Sequence, residues 1–477
     1  MPSTHLTTLS AAAIARLVRA RELSPVEVTE HFIARVMVHN PSLNAFITVA
    51  FEQAMDAAAA AERAVMRGDD LGPLHGVPIG IKDLNNTKGM RTTHGFALNR
   101  ERVPSHDDIP VERIRRAGAV IVGKTNTPEF GWKGTTENGL GDACRNPWDT
   151  RRTSGGSSGG SASAVAARIV PIANGSDAGG SIRIPAGFCG VYGFKPTFGR
   201  VPGAYEGPGA WRSLSQNGPI ANSVEDAALL LRALAGPDPR DATAIVAPPP
   251  DFLAAARTPN VHGLRLAWSP TLGGAPVHPA VREITAAAAK RFEALGATVE
   301  EAAPPVDLGR LIDVFMTLML TDLVIGLEPV HRGGNDKHLP DLLRQWLDEA
   351  RGWPAVRFAM ALRDLEWHRY RWSRFFERHD LLLTPTMAVP AFYVDRFPGR
   401  IDDVDVDPRW GFTPFCIHAN LTGQPAASVP CGFTADRLPV GLQIVGRHGD
   451  DATVLRASAA FEQAQPWAHR LPPRYAN

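Results

Sequence analysis

The sequence predicts an α/β protein, helices layered on a sheet, and three observations lead there. Capped or Ala-rich helical stretches alternate with short apolar runs along most of the chain, the pattern of layered α/β architecture. With 477 residues, 44% apolar and 21% charged, the chain can bury a large core and has the balance of a folded globular protein. Its 44 glycines and 40 prolines fall short of the disordered range but imply many ordered loops.

In order along the chain, the stretch up to Gly68 reads as helices. Ser24-Pro25-Val26-Glu27 is a capping box with proline in the first helical turn, and the helix it opens is expected to stop before Asn40-Pro41. Residues 51–67 are Ala-rich and close on Gly68, a second helix. Residues 76–83, G-V-P-I-G-I-K-D, read as a short buried strand ending at Lys82; taken alone, such a lysine snorkels to the surface. A helix over 111–118 leads into a strand over 119–122, and 162–167 reads as helix before a strand over 169–173. Further helices are expected over 224–235 (capped by Ser223), 279–295 and 451–463, and strands over 264–268, 381–384, 426–429 and 440–445. The segment 306–378 differs: it is helical and sets Trp346, Trp353, Trp367, Tyr370 and Trp372 among arginines. Asp364, Glu366 and Glu377 interrupt the positive charge, so it reads as a helical lid with a solvated face and not as a nucleic-acid surface.

A formal net charge of +1 gives no electrostatic reason for nucleic acid, an acidic substrate or a membrane surface as partner. Cys144, Cys189, Cys416 and Cys431 show no C-x-x-C spacing, and the N-terminal stretch has no basic region followed by an apolar core, Arg16 and Arg19 interrupting it. Free thiols and a cytoplasmic location are the expectation. No apolar run approaches a membrane span, and no H-E-x-x-H or paired Cys/His spacing suggests a metal; no cofactor is expected.

Two motifs mislead. Residues 118–125, G-A-V-I-V-G-K-T, fit the phosphate-loop pattern, but Ala-Val-Ile-Val is a buried-strand sequence where an open loop is needed, and Pro128 follows where a helix should begin. Residues 155–159 fit G-x-S-x-G, but the nucleophile elbow needs a strand just before it, and 146–152 is polar and turn-like. The stretch 153–183 is the more informative one. Two Gly/Ser loops, T-S-G-G-S-S-G-G-S and N-G-S-D-A-G-G-S-I-R, flank an apolar segment, which argues against a flexible linker. Glycines there let backbone N–H groups turn toward an anion, and Ser157 and Ser181 become candidate nucleophiles. A serine needs a base, no histidine lies near either loop in the sequence, and lysine is the base available, provided burial lowers it from its ordinary value of about 10.4.

Together with G-V-P-I-G-I-K-D, S-D-A-G-G-S-I-R-I-P-A-G-F-C-G and A-N-L-T-G-Q-P-A-A-S-V-P-C-G-F, these loops resemble the amidase-signature hydrolases in order and spacing, from about Leu9 to Gln463. The resemblance implies the amidase-signature fold: one α/β/α domain over 1–477 around a central mixed β-sheet, with 306–378 as lid and substrate-pocket segment within it. It implies a Ser–cis-Ser–Lys triad with Ser181 as nucleophile, Ser157 as bridging serine after a cis peptide from Gly156, and Lys82 as base. It puts the oxyanion hole at the N–H groups of Ala178, Gly179, Gly180 and Ser181, a substrate contact at Gly131 beside Ser157, and support at Asp177 and Arg183. Ser176 stands where threonine is usual, and Gly80 where serine often occurs; both departures bear on substrate contacts.

The function expected is an amidohydrolase acting through an acyl-enzyme on a small-molecule amide, with carbamates (urethanes) and esters open to the same carbonyl chemistry, working as a monomer or homodimer. The amidase subunit of a tRNA-dependent amidotransferase resembles the chain in the same blocks, and a non-enzymatic scaffold is the third reading. Trp132, Phe315, Met316, Met319, Trp346, Trp353, Trp410, Phe412, Phe415 and Ile417 would wall the pocket, and with no cation evidently placed to grip a carboxylate they favour neutral aryl or apolar amides such as anilides.

Overall fold

An eleven-stranded mixed sheet runs through the computed structural model, which describes residues 3–203 and 214–475. In chain order the strands are β1 (Phe46–Val49), β2 (Pro78–Lys82), β3 (Val120–Thr125), β4 (Arg145–Asn146), β5 (Asp149–Thr153), β6 (Ile172–Asp177), β7 (Tyr192–Lys195), β8 (Gln216–Ala221), β9 (Arg265–Trp268), β10 (Thr298–Glu301), β11 (Leu381–Pro385), β12 (Arg400–Ile401), β13 (Val404–Asp405), β14 (Ala426–Phe433) and β15 (Pro439–Gly446). The large sheet has the order β1-β3-β2-β6-β8-β7-β14-β15-β11-β9-β10, and β4 with β5 and β12 with β13 form two separate ribbons. Parallel pairs (β3 with β2, β2 with β6, β11 with β9, β9 with β10) lie either side of an antiparallel middle.

Strands β2, β3, β7, β8, β11 and β15 are buried at every residue. That requires helices on both faces and explains why the apolar runs do not alternate. Apolar residues of the sheet and its helices make one large core, from Ile79 and Ile121 through Leu266 and Leu383 to Ile444 and Phe461. A second core lies within the helical segment, whose helices are Leu308–Gly326, Glu328–Arg332, Asp341–Arg351 and Ala355–Phe375. Leu318, Leu323, Leu343, Leu347 and Leu365 pack there with Trp132 and Ala178 from the sheet side.

Most expected elements form, with shifted ends. The helix opened by Ser24 runs Pro25–Leu43, straight through Pro41. Proline removes a single N–H in the last turn, and Asn44 closes the helix in a left-handed conformation while Asn40 Oδ1 accepts the Phe46 N–H at 2.7 Å. The Ser24 hydroxyl accepts from the Val26 and Glu27 N–H groups and donates to Glu62, so the cap is closed from a second helix. The strand expected over 169–173 forms later, at Ile172–Asp177, because its polar N-G-S-D end pairs across the ladder with β8. The polar stretch before Ser157 is strand β5, against expectation. It belongs to a ribbon outside the main sheet, so the strand–turn–helix outline of the elbow is there without its usual setting.

Candidate active site

Lys82 ends β2, which lies between β3 and β6, so its side chain has no route to solvent and is fully buried. Its ammonium nitrogen lies 2.8 Å from Ser157 Oγ, 3.0 Å from Ser176 Oγ and 3.2 Å from the Ser176 carbonyl, with no carboxylate among these partners. Burial brings the lysine down to about 7, with the charge of Asp177 opposing the shift. The Lys82 N–H donates to Asn174 Oδ1 at 2.8 Å and the Asn174 amide donates to Asn85 Oδ1 at 2.8 Å, which fixes the end of the strand.

Ser157 sits in the loop from β5 to the helix Gly159–Ala166, after a cis peptide bond from Gly156, and is buried. Ser181 follows β6 on the other Gly/Ser loop and is half-buried. Ser158 staples the two loops: its N–H donates to the Ser181 carbonyl at 3.1 Å, and its hydroxyl donates to the Ser176 carbonyl at 3.2 Å. Gly131 closes the site from a third side. Its φ is +75°, and a methyl group there would sit 3.2 Å from Ser157 Oγ and 2.7 Å from Leu84 Cδ1, so only glycine fits without displacement.

Asp177 and Arg183 are fully buried and form a two-point ion pair, Oδ1 to Nη2 and Oδ2 to Nε, both at 2.9 Å. Burial alone would raise the carboxyl, yet Arg183 and the surrounding hydrogen bonds hold it well below the usual carboxylate range. Arg183 also donates to the Cys416 carbonyl (2.8 Å), Gln443 Oε1 (2.6 Å) and Asn420 Oδ1 (2.7 Å), while the Asn420 amide donates back to Asp177 Oδ1 at 2.9 Å. One expectation needs correction here. The Gly180 N–H donates to Asp177 Oδ1 at 2.7 Å, so it is turned into the brace and not offered to an anion. Among the described residues the N–H groups of Ala178, Gly179 and Ser181 have no such acceptor.

The helical segment reaches this loop through Phe315, whose ring would lie 2.6 Å from a methyl on Gly179. Phe315 meets Trp410 edge-on at 5.5 Å, and Trp132 meets Trp346 in the same way at 5.5 Å. Met319 and Ile417 share that apolar cluster, and Met316, Trp346, Trp353 and Trp410 pack against it. Phe412 and Phe415 do not; they belong to the main core, where Phe412 packs on Phe188, Phe392 and Phe397. The cations beside the aromatic wall are paired, Lys133 with Glu137 at 2.8 Å and Arg409 with Asp407 at 2.6 Å.

Lys124, from the rejected phosphate-loop motif, is a fully buried strand residue. It donates to Thr92 Oγ1 at 2.8 Å and Thr87 Oγ1 at 3.0 Å and lies 3.9 Å from Asp83. Sequence reasoning missed Asn174, Asn420 and Gln443. Asn420 lies within the A-N-L-T-G block and Asn174 opens N-G-S-D-A-G-G-S-I-R, so both could have been suspected from those blocks; Gln443 is a strand residue with no local signal.

The profile of the Amidase family matches residues 27–455. The chain is 38% identical to an acylamidase of Rhodococcus erythropolis, covering 99% of this chain and 98% of that one. It is also 38% identical to a glutamyl-tRNA(Gln) amidotransferase subunit from Geobacillus stearothermophilus, covering 97% and 98%. Among solved structures, a bacterial aryl acylamidase of the amidase-signature enzymes superposes with a TM-score of 0.90 at 32% identity, covering 98% of this chain and 97% of that one. The sheet, the buried lysine between two serine loops and these likenesses agree: the chain belongs to the amidase-signature family of amide-hydrolysing enzymes.

Proposed function

We propose that the protein hydrolyses neutral, apolar or aryl amides by itself, through an acyl-enzyme on Ser181. The observation that carries the reading is a fully buried lysine, brought down to about 7, with Ser157 Oγ at 2.8 Å. A neutral lysine has two N–H groups and one lone pair. Ser176 offers two acceptors, which leaves the lone pair for the Ser157 hydroxyl. Ser157 gives its own proton to the Lys82 lone pair as it takes the proton of Ser181, whose Oγ attacks the carbonyl, and the proton then passes back from Lys82 through Ser157 to the leaving amine. Ala178, Gly179 and Ser181 N–H groups would bind the oxyanion, each such donor being commonly worth about 3–4 kcal/mol. The Gly180 N–H, by donating to Asp177, holds the loop in that shape. Water attacks the acyl-enzyme by the same relay in reverse. Carbamates and esters present the same carbonyl, so urethane and ester cleavage fall within the chemistry.

The preference for apolar substrates rests on Phe315, Trp410, Trp132 and Trp346 beside the loop and on the pairing of the nearby cations. The similarity to glutamyl-tRNA(Gln) amidotransferase subunits supports a second reading, release of ammonia from glutamine within a complex. One panel separates the two: a nitroanilide, an aryl carbamate, acetamide and glutamine at equal concentration with the purified chain. Fastest turnover of the nitroanilide is expected. Fastest turnover of glutamine or acetamide would sink the apolar reading.

A further inference from the structure

Beyond Gly80 the sheet opens beside the candidate base. Strands β2 and β6 pair only at Ile79–Ile172 and Gly80–Ala173, while β2 stays with β3 as far as Lys82–Thr125. The Lys82 N–H, which a continued parallel ladder would give to a β6 carbonyl, goes instead to the side chain of Asn174 at 2.8 Å. The Lys82 carbonyl is taken up as well, by the Asn85 N–H at 3.0 Å. The two asparagine side chains then meet, Asn174 Nδ2 donating to Asn85 Oδ1 at 2.8 Å and reaching Asn217 Oδ1 on β8 at 3.5 Å. The peptide groups on both sides of Lys82 are thereby held in one ring of hydrogen bonds, and both asparagines are buried.

Each half of the ring is anchored to a different part of the site. The Asn174 carbonyl accepts from Ser161 Oγ at 2.8 Å, on the helix that follows Ser157, and Thr125 Oγ1 on β3 lies 2.6 Å from the same hydroxyl. Asn174 also stands two residues before Ser176, whose hydroxyl and carbonyl bind the Lys82 amine. The Asn85 carbonyl accepts from Lys124 Nζ and, at 3.2 Å, from Thr87 Oγ1. Lys124 is opposite Ile81 in the register, so its side chain leaves the other face of the sheet from that of Lys82. There its ammonium finds three acceptors, the Asn85 carbonyl, Thr87 Oγ1 and Thr92 Oγ1, with Asp83 at 3.9 Å. A lysine so matched is held as a cation and anchors the ring without competing for the proton of the base. On its own face Lys82 has only Ser157 and Ser176 as partners, and Asp177, paired with Arg183, is the charge that acts on it.

We propose that Asn174 and Asn85, anchored by Lys124, are positioning residues that clamp the end of β2 so that the Lys82 amine meets Ser157 Oγ, a role within the hydrolysis proposed above. The test uses the full-length protein labelled with carbon-13 at lysine Cε, the Lys82 signal being assigned by its loss in Lys82→Met. Asn174→Leu keeps the volume and removes the side-chain hydrogen bonds. On a nitroanilide it should lower kcat about tenfold or more, with KM within about twofold of the parent's. Asn85→Ala opens the same ring at its other side and should also lower kcat, and the double variant should be no slower than Asn174→Leu alone. Losses that multiply would overturn the clamp. Asn174→Asp still accepts from the Lys82 N–H, and the Asn85 amide can turn to donate to it. At high pH it should be faster than Asn174→Leu, with the midpoint of its pH profile above the parent's because a carboxylate favours the protonated lysine. Parental kcat in Asn174→Leu, a raised KM at unchanged kcat, or an Asp variant no faster than the Leu variant would each overturn the proposal. If Asn174→Leu does not fold, Asn85→Ala and Asn174→Asp decide by the same measures. If the parent cleaves no nitroanilide, the proposed hydrolysis fails, and the nuclear magnetic resonance titration of Lys82 decides on the clamp. Opening the ring in Asn174→Leu or Asn85→Ala should raise the Lys82 midpoint, because a freed strand end lets water reach the amine. An unmoved or lowered midpoint in both variants would overturn the proposal.

Discussion

Lys82 is costly to the fold and, in the proposed mechanism, useful to the chemistry for the same reason. It is brought down to about 7 by burial, far below an unfolded lysine, so over the pH range between those values the unfolded chain holds a proton that the native chain does not. Stability from this residue therefore rises with pH from about 7 toward the unfolded value of about 10.4. The advantage of Lys82→Met over the parent in Tm should be greatest near pH 7 and shrink toward pH 10, as measured by calorimetry; a margin that grows with pH would place the lysine charged in the native state. In the proposed mechanism the same depression should make kcat/KM climb through about pH 7 and level off above it. Lys82→Ala should lose about 10²–10⁴-fold on the plateau and proportionally less in acid, and an unchanged pH profile would remove lysine from the mechanism. Asp177→Asn leaves Arg183 buried without its counter-charge and should cost about 3–5 kcal/mol in denaturant unfolding. The residues legible in the sequence were those carried by glycine-bearing blocks: Lys82 in G-V-P-I-G-I-K-D, and Ser157, Asp177, Ser181 and Arg183 in the two Gly/Ser loops. Asn420 and Gln443 complete the brace from more than 230 positions away along the chain, a separation that no local pattern spans.

At the scale of elements, the reach of one side chain sets the shape of the site. Phe315 projects from the helical segment onto Gly179, so Gly179→Ala forces the ring away or moves the loop. Its activity loss should be partly restored by Phe315→Leu, and a double variant no better than Gly179→Ala alone would show that the contact does not shape the loop. Gly131→Ala puts a methyl against Ser157 and Leu84 at a positive φ; it should abolish most activity while costing only about 1 kcal/mol or so of backbone strain in denaturant unfolding. Helices were legible because caps and Ala-rich stretches are local signals. Their ends were less so: the Pro25–Leu43 helix passes Pro41 because tertiary partners of Asn40 hold its last turn. Strand β5 was missed because Asp-Thr-Arg-Arg carries no apolar alternation and its partners are the two-residue β4 on one side and the distant segment 392–394 on the other.

At the scale of the molecule, the sheet explains why the serines, 24 positions apart, and the lysine, 75 positions before the first, converge. Strands β2 and β6 are parallel neighbours, so the C-terminal ends that carry Lys82 and Asp177 lie on the same edge, and the helix Gly159–Ala166 between the loops returns the chain across β6. The α/β layering could be read from alternating elements, but the strand order could not. Strand β8, Gln-Asn-Gly-Pro-Ile-Ala, sits mid-sheet with proline and glycine and resembles a loop in sequence; its partners β6 and β7 make it a strand. The most direct test of the account is the site of covalent capture by a fluorophosphonate, located by peptide mass spectrometry of the inactivated protein. The account predicts a single adduct on the peptide carrying Ser181, absent from Ser181→Ala and slowed in Lys82→Ala. An adduct on Ser157 with Ser181 unmodified, or inactivation without either, would contradict it.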